Sequence, residues 1–291
     1  PIPLMYLFED KNGKKQVVDG RQRISAILDF LEGKFKLNNL RILKQFNGCC
    51  FADLDLKQQG VIEDFQLLFY IIQPPTPERV KYDIFDRVNR GGTPLNKQEM
   101  RNALYRGRCT RMLDKLCCSP EFLIATGRSI NKERMKDQYV VLRAMAFLML
   151  HRGEFKDIPA LQYRGDIDDF LARFMVYVND NAPEKLIVDY ENLFIRCMQI
   201  SYDLLGENGF RFSGNGIRRP INMPLFEALS YLFSFVPEKI DYTWASRLIL
   251  DIESVKEEFD DSRYFSGNID STTSVSFRFD RMDKIINRIQ L

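Results

Sequence analysis

The stretch Val17-Val18-Asp19-Gly20-Arg21-Gln22-Arg23 most constrains what this chain can fold into. An apolar strand runs into an Asp-Gly pair. Beyond it Ile24, Ala26, Ile27, Leu28, Phe30 and Leu31 recur at helical spacing as far as Gly33. Upstream, Leu4-Met5-Tyr6-Leu7-Phe8-Glu9 leads to Asn12-Gly13, a strong hairpin signal. The pattern predicts strand, tight turn, strand, Asp-Gly elbow and helix.

Such an elbow suits an anion. The first amides of a helix have no partner within it and carry the positive end of its dipole. A phosphate placed there collects those donors, and Arg21 and Arg23 add forked ones. Gly20 permits a sharp turn and close approach of a ligand. Asp19 is placed to hold a metal-bound water or to orient a nucleophile. The plainer alternative is an N-cap Asp19 followed by two solvated arginines, and the motif by itself leaves both open.

With 291 residues the chain can bury a large core in one domain or two. A net charge of +2 does not by itself indicate nucleic-acid binding. Basic residues cluster locally, with Lys14, Lys15, Arg21 and Arg23 at the elbow and Arg101, Arg106, Arg108 and Arg111 further on, as solvated faces commonly do. The six cysteines include two adjacent pairs and no CxxC spacing, which argues against a disulfide framework or a zinc site. The one histidine, His151, excludes within this sequence a metal site built from several imidazoles. It also speaks against a Ser–His or Cys–His triad. No apolar run is long enough to span a bilayer. Reduced thiols and no membrane span predict a cytoplasmic location.

Along the chain, Lys34 to Leu37 reads as a short strand and Asp53 or Asp55 as the cap of a helix through Asp64. Phe65 to Ile72 reads as a buried strand. A helix from Glu78 to Val88 stops at Asn89-Arg90-Gly91-Gly92-Thr93-Pro94, and Asn96 with Glu99 forms a capping box for the next. From there the chain reads as helix: 100–105, 110–117, 121–125, 133–151, 166–178, 183–205, 220–235, 241–259 and 280–289. The fold class is α+β, with a small mixed α/β domain over residues 1–95 and a larger all-helical domain over residues 96–291. Two loops of the helical part are candidate substrate loops or plain surface. One is Phe212 to Asn222, with Arg218 and Arg219 as a second anion site; the other is the hydroxyl-rich Ser266 to Ser274. Asp166, Asp168 and Asp169 lie at a helix start, where the dipole accounts for them.

Asp19-Gly20-Arg21-Gln22-Arg23, together with Phe85 to Ala103, resembles the DGQQR-motif proteins, typified by the N-terminal S-type domain of GmrSD modification-dependent restriction enzymes. The resemblance covers about the first third of the chain. It implies a ParB/sulfiredoxin-like α/β domain followed by helices, and a nucleotide-binding, NTP-hydrolysing, DNA-associated module of a phage or foreign-DNA defence system. By resemblance Asp19, Gln22 and Arg23 are catalytic. Gly20, Arg21, Arg23, Arg87, Asn89, Gly91 and Gly92 contact nucleotide or phosphate. The cofactors implied are an NTP and Mg²⁺ at Asp19; the partners are DNA and a separate nuclease subunit. Arg21 stands where the family has Gln, and the family's upstream Phe-Gln-Arg stretch has no counterpart in this sequence. The HNH nuclease domain of many relatives requires histidines that this chain lacks. The alternatives are a Mg²⁺-dependent nuclease or nickase at the same elbow, and a non-catalytic nucleotide- or partner-binding regulator. A sulfiredoxin-like reductase is excluded, because no cysteine lies between Asp19 and Arg23.

Overall fold

The computed structural model describes residues 2–9, 13–73, 76, 80, 84, 95–214, 218–237, 239 and 241–289. The architecture is α+β, a small three-stranded mixed sheet followed in sequence by helices. The chain divides into two units, Pro1–Pro94 and Leu95–Leu291.

In the first unit β1 (Met5–Glu9) and β2 (Lys15–Asp19) pair antiparallel, as the hairpin signal predicts. The register shifts between Tyr6, opposite Asp19, and Leu7, opposite Val17, so Val18 is an extra residue. A bulge of this kind bends a strand and re-aims its end. Here the end is the elbow, which leads into α1 (Arg21–Leu31). β3 (Phe69–Ile72) pairs parallel to the other edge of β1, giving the order β2-β1-β3. Met5, Phe8, Val18, Phe30, Leu54 and Ile72 are buried. The Phe30 and Phe51 rings pack edge to face, with centroids 6.0 Å apart.

Two expected strands differ. Lys34 to Leu37 is irregular, because the Leu37 amide and carbonyl bond to Cys49 and Gly48 and close a loop rather than a ladder. β3 is shorter than Phe65–Ile72 and exposes Phe69, Tyr70 and Ile71, since an edge strand of so small a sheet covers only one face. Asp55 is the residue that caps α2 (Leu56–Glu63), accepting from the Gln58 amide at 2.8 Å; Asp53 instead closes a turn onto Cys50. The expected helix over 78–88, apart from Val80 and Ile84, and the following loop through Pro94 lie outside the described residues.

The second unit is helical: α3 (Lys97–Leu104), α4 (Arg108–Cys117), α5 (Pro120–Ala125), α6 (Lys136–His151), α7 (Ile167–Asp180), α8 (Glu184–Leu205), α9 (Met223–Phe233), α10 (Tyr242–Asp260) and α11 (Thr272–Ile289). The predicted capping box opens α3: Asn96 Oδ1 accepts from the Gln98 and Glu99 amides at 2.8 and 2.9 Å, and Glu99 returns a bond to the Asn96 amide. Asp166 caps α7, as its place at a helix start suggests. The predicted helix 133–151 is broken instead by Arg134 and Met135, both in left-handed conformation. The Arg134 carbonyl accepts from Asn96 Nδ2 and its guanidinium pairs with Glu99, which holds the break in place.

Helix α6 is the core of this unit, buried almost continuously from Val140 to Met149 and packed against α4, α7 and α9. Its Arg143 is buried too. Arg143 Nε and Arg278 Nη2 both donate to the buried Glu227 carboxylate, the latter at 2.7 Å. Arg143 Nη2 reaches Asp270 at 2.6 Å, and Arg278 Nη1 reaches the Ile269 carbonyl at 2.7 Å. Burial opposes the Arg143 charge, but the Glu227 and Asp270 carboxylates hold its pKa above the ordinary value. The hydroxyl-rich stretch supports this network, and from Thr272 onward it is the first turn of α11. Its Ile269 and Asp270 clasp the two arginines, and Ser274 ties it to Asn268.

His151 stacks on Phe279, ring centroids 3.6 Å apart, and its Nε2 is buried without a hydrogen-bond partner among the described residues. Burial, and secondarily Arg278, push its pKa down to about 3. An unfolded histidine titrates near pH 6.5. Between about pH 6.5 and 3 the unfolded chain therefore binds a proton that the folded chain refuses, and stability falls as pH falls through that window. The urea midpoint of the wild type should drop more steeply with acidification than that of His151→Phe. Equal slopes would show that His151 charges without penalty.

Candidate functional site

The elbow is built by glycine. Gly20 is the residue that caps α1, with φ 98° and ψ 3°, and no side chain among the described residues caps its first turn. A Cβ there would lie 2.5 Å from both Cγ and Sδ of the buried Met5. Gly20→Ala meets the left-handed penalty and overpacks Met5 together, a destabilisation of about 2–4 kcal/mol. It should appear as faster amide hydrogen exchange throughout β1 and β2, whereas unchanged exchange would mean that the elbow tolerates a side chain.

The capping role expected of Asp19 thus falls to its neighbour. Asp19 instead forms an ion pair with Arg23, one turn along, through Oδ2 and Nη2. Arg23 Nη1 donates to the Pro3 carbonyl at 2.9 Å. One guanidinium thus ties the entry of β1 to the end of β2. Asp19 Oδ1 makes no hydrogen bond among the described residues. Arg21 and Gln22 are exposed, and neither side chain has a partner among the described residues. The amides of Arg21, Gln22 and Arg23 precede the first intrahelical bond, from the Ile24 amide to the Gly20 carbonyl at 2.8 Å. The structure therefore gathers Asp19, Gly20, Arg21, Gln22 and Arg23 at one turn. Arg87, Asn89, Gly91 and Gly92 lie outside the described residues.

Asp19 presents one carboxylate, and no group of three or more metal-ligating side chains occurs among the described residues. That donor set fits a Mg²⁺ ion taking its remaining ligands from phosphate oxygens and water, the usual arrangement for this cation. It does not fit an ion caged by protein alone.

Of the second basic cluster, Arg101 is buried against Gln98 and Asp168, and Arg108 bonds the Val178 and Ala182 carbonyls. These two hold the helical unit together. Arg218 and Arg219 line a cleft of about 670 Å³ in that unit, with Glu207, Arg211, Phe212, Glu253 and Lys256. The sequence points to the two arginines of the loop but not to Arg211, one residue before it, or to Lys256, which α10 brings to the cleft.

Comparison with known proteins bears on the elbow. Residues 1–106 match the GmrSD restriction endonuclease, N-terminal domain. The GmrSD match spans the elbow and extends into α3. It supports a module of a restriction-type defence system, and no HNH domain is detected. No curated protein and no solved structure matches the chain. Among the described residues no helix is long and apolar enough to cross a membrane.

Proposed function

We propose that the chain is a nucleotide-binding, NTP-hydrolysing, DNA-associated module of a restriction-type defence system, with the elbow as its nucleotide site in a ParB/sulfiredoxin-like unit. One observation carries this reading. The first turn of α1 has no side-chain cap among the described residues, and Arg21, Gln22 and Asp19 surround it within the segment that matches the GmrSD domain.

A terminal phosphate accepts from the Arg21–Arg23 amides and from the Arg21 guanidinium, which supplies parallel donors. Gln22 orients the attacking water. Asp19 is held by Arg23, which acts as a positioning residue through its bonds to Asp19 and Pro3. Asp19 would hold a Mg²⁺ ion, which when bound would supply neutralisation of the charge that develops on the phosphates. The work of the protein is positioning and fixed charge.

The test is phosphate release by the purified chain across the NTPs, with and without Mg²⁺. Release is expected, and Arg21→Ala should lower it at least about tenfold, one forked contact being worth about 1.5–3 kcal/mol. Because Arg21 is exposed, the melting temperature should not move. Plasmid nicking with Mg²⁺ and no NTP would move the chemistry to a phosphodiester. Neither activity, with no nucleotide-dependent change in stability, would leave a partner-binding regulator.

A further inference from the structure

The cleft in the helical unit has no role in the elbow chemistry. Arg211 forms its floor and is 4% exposed. Its guanidinium donates to the Glu207 carbonyl at 3.2 Å, to the Thr126 carbonyl at 3.1 Å, to the Arg219 carbonyl and to Ser129 Oγ. All of these acceptors are neutral, and no carboxylate oxygen bonds to Arg211 among the described residues. Burial, and next the nearby Arg218, push its pKa below the ordinary value.

The walls carry further cations. Lys256 is nearly buried, held by Glu253 at 2.9 Å and by the Asn208 carbonyl. Arg218 pairs with Glu207 at 2.7 Å over Gly127, where a Cβ would strike both side chains. Arg219 pairs with Asp260 and lies over the Phe212 ring, 5.4 Å from its centre. Four cations thus meet three carboxylates. The Arg218 and Arg219 pairs are solvent-exposed, with side chains 40% exposed or more on the arginine side. Such pairs contribute at most about 1 kcal/mol each and open readily to a better acceptor.

We propose that this cleft binds the phosphate of a nucleotide-sized ligand, with Arg211 as its fixed positive floor and Arg218 and Arg219 swinging from their carboxylates to fork onto it. A doubly charged phosphate suits this arrangement better than a carboxylate does. It answers Arg211, whose hydrogen-bond acceptors are all neutral, and accepts from two planar guanidinium groups together. The cleft volume lies within the range of small-molecule sites, about 300–1,000 Å³. The phosphate comes either from a free nucleotide or from a nucleic-acid strand. The proposal stands independently of the elbow reading.

The experiment is calorimetric titration of the full chain with pyrophosphate, with ATP, and with a short single-stranded DNA lacking terminal phosphates. Wild type should bind pyrophosphate, and Arg218→Glu/Arg219→Glu should weaken that binding at least about tenfold. Weakening of pyrophosphate and ATP binding alone assigns a free nucleotide; concurrent weakening of DNA binding assigns the strand. Should the double variant fail to fold, Glu253→Gln gives a readout of opposite sign, tightening pyrophosphate by about threefold as one opposing charge is removed. No pyrophosphate or ATP binding by wild type, undiminished binding by the double variant, or weaker binding by Glu253→Gln would overturn the proposal.

Discussion

Glu227→Gln is expected to lower the stability of the helical unit by about 3–5 kcal/mol, the usual result of removing one member of a buried charge pair. Glu227 is 0% exposed and serves two arginines that are themselves 1% and 0% exposed. Its loss falls unequally. Arg143 retains the Asp270 carboxylate, whereas Arg278 has no second carboxylate among the described residues, and its Nε is already buried and unpartnered among them. A net stability of about 5–15 kcal/mol is typical of a domain, so the loss is a large share. Trp244, the one tryptophan, lies on α10 and reports this unit in urea unfolding. A shift below about 1 kcal/mol would mean that the network is not held as described. Replacing all three charged residues with apolar ones of similar size should restore most of the loss, because the one charge left without its partner, Asp270, is 28% exposed to solvent.

Asp19→Ala is expected to reduce NTP hydrolysis by about 10²-fold or more, the scale on which misplaced catalytic groups act. The substitution removes the carboxylate offered to Mg²⁺ and also releases Arg23 from its second anchor. Asp19→Asn separates the two effects. Its amide oxygen still accepts from Arg23, so the elbow and its melting temperature should persist while hydrolysis is lost. Full hydrolysis in both variants would contradict the role given to Asp19; loss in Ala alone would make Asp19 purely architectural.

The legible parts of the sequence were those with local causes. The hairpin and the elbow rest on alternation, Asn-Gly and Asp-Gly, and the start of α3 on the Asn96–Glu99 box; each needs only neighbours in sequence. What escaped depended on distant partners. Gly20 rather than Asp19 is the cap because the Val18 bulge and the buried Met5 side chain set the turn. Phe65 to Phe69 looked buried on apolarity alone, but a three-stranded sheet has too little to cover them. Arg143, Glu227 and Arg278 each interrupt an apolar helical face, and that was the available signal for a buried network. Their mutual pairing, over separations of 51 and 84 residues, is tertiary information. The cleft follows the same rule. Arg218 and Arg219 stand out within one glycine-rich loop, whereas Arg211 becomes part of the site through its bonds to Thr126, Ser129 and Arg219, and Lys256 when α10 packs beside that loop.

Amide hydrogen exchange across the first turn of α1, with and without an NTP and Mg²⁺, tests the central claim most directly. With ligand at a hundred times its Kd, the amides of Arg21, Gln22 and Arg23 should exchange up to about a hundredfold more slowly, and Arg21→Ala should remove most of that protection. Unchanged exchange at this turn under nucleotide saturation, even with protection elsewhere in the chain, would contradict the elbow as the nucleotide site.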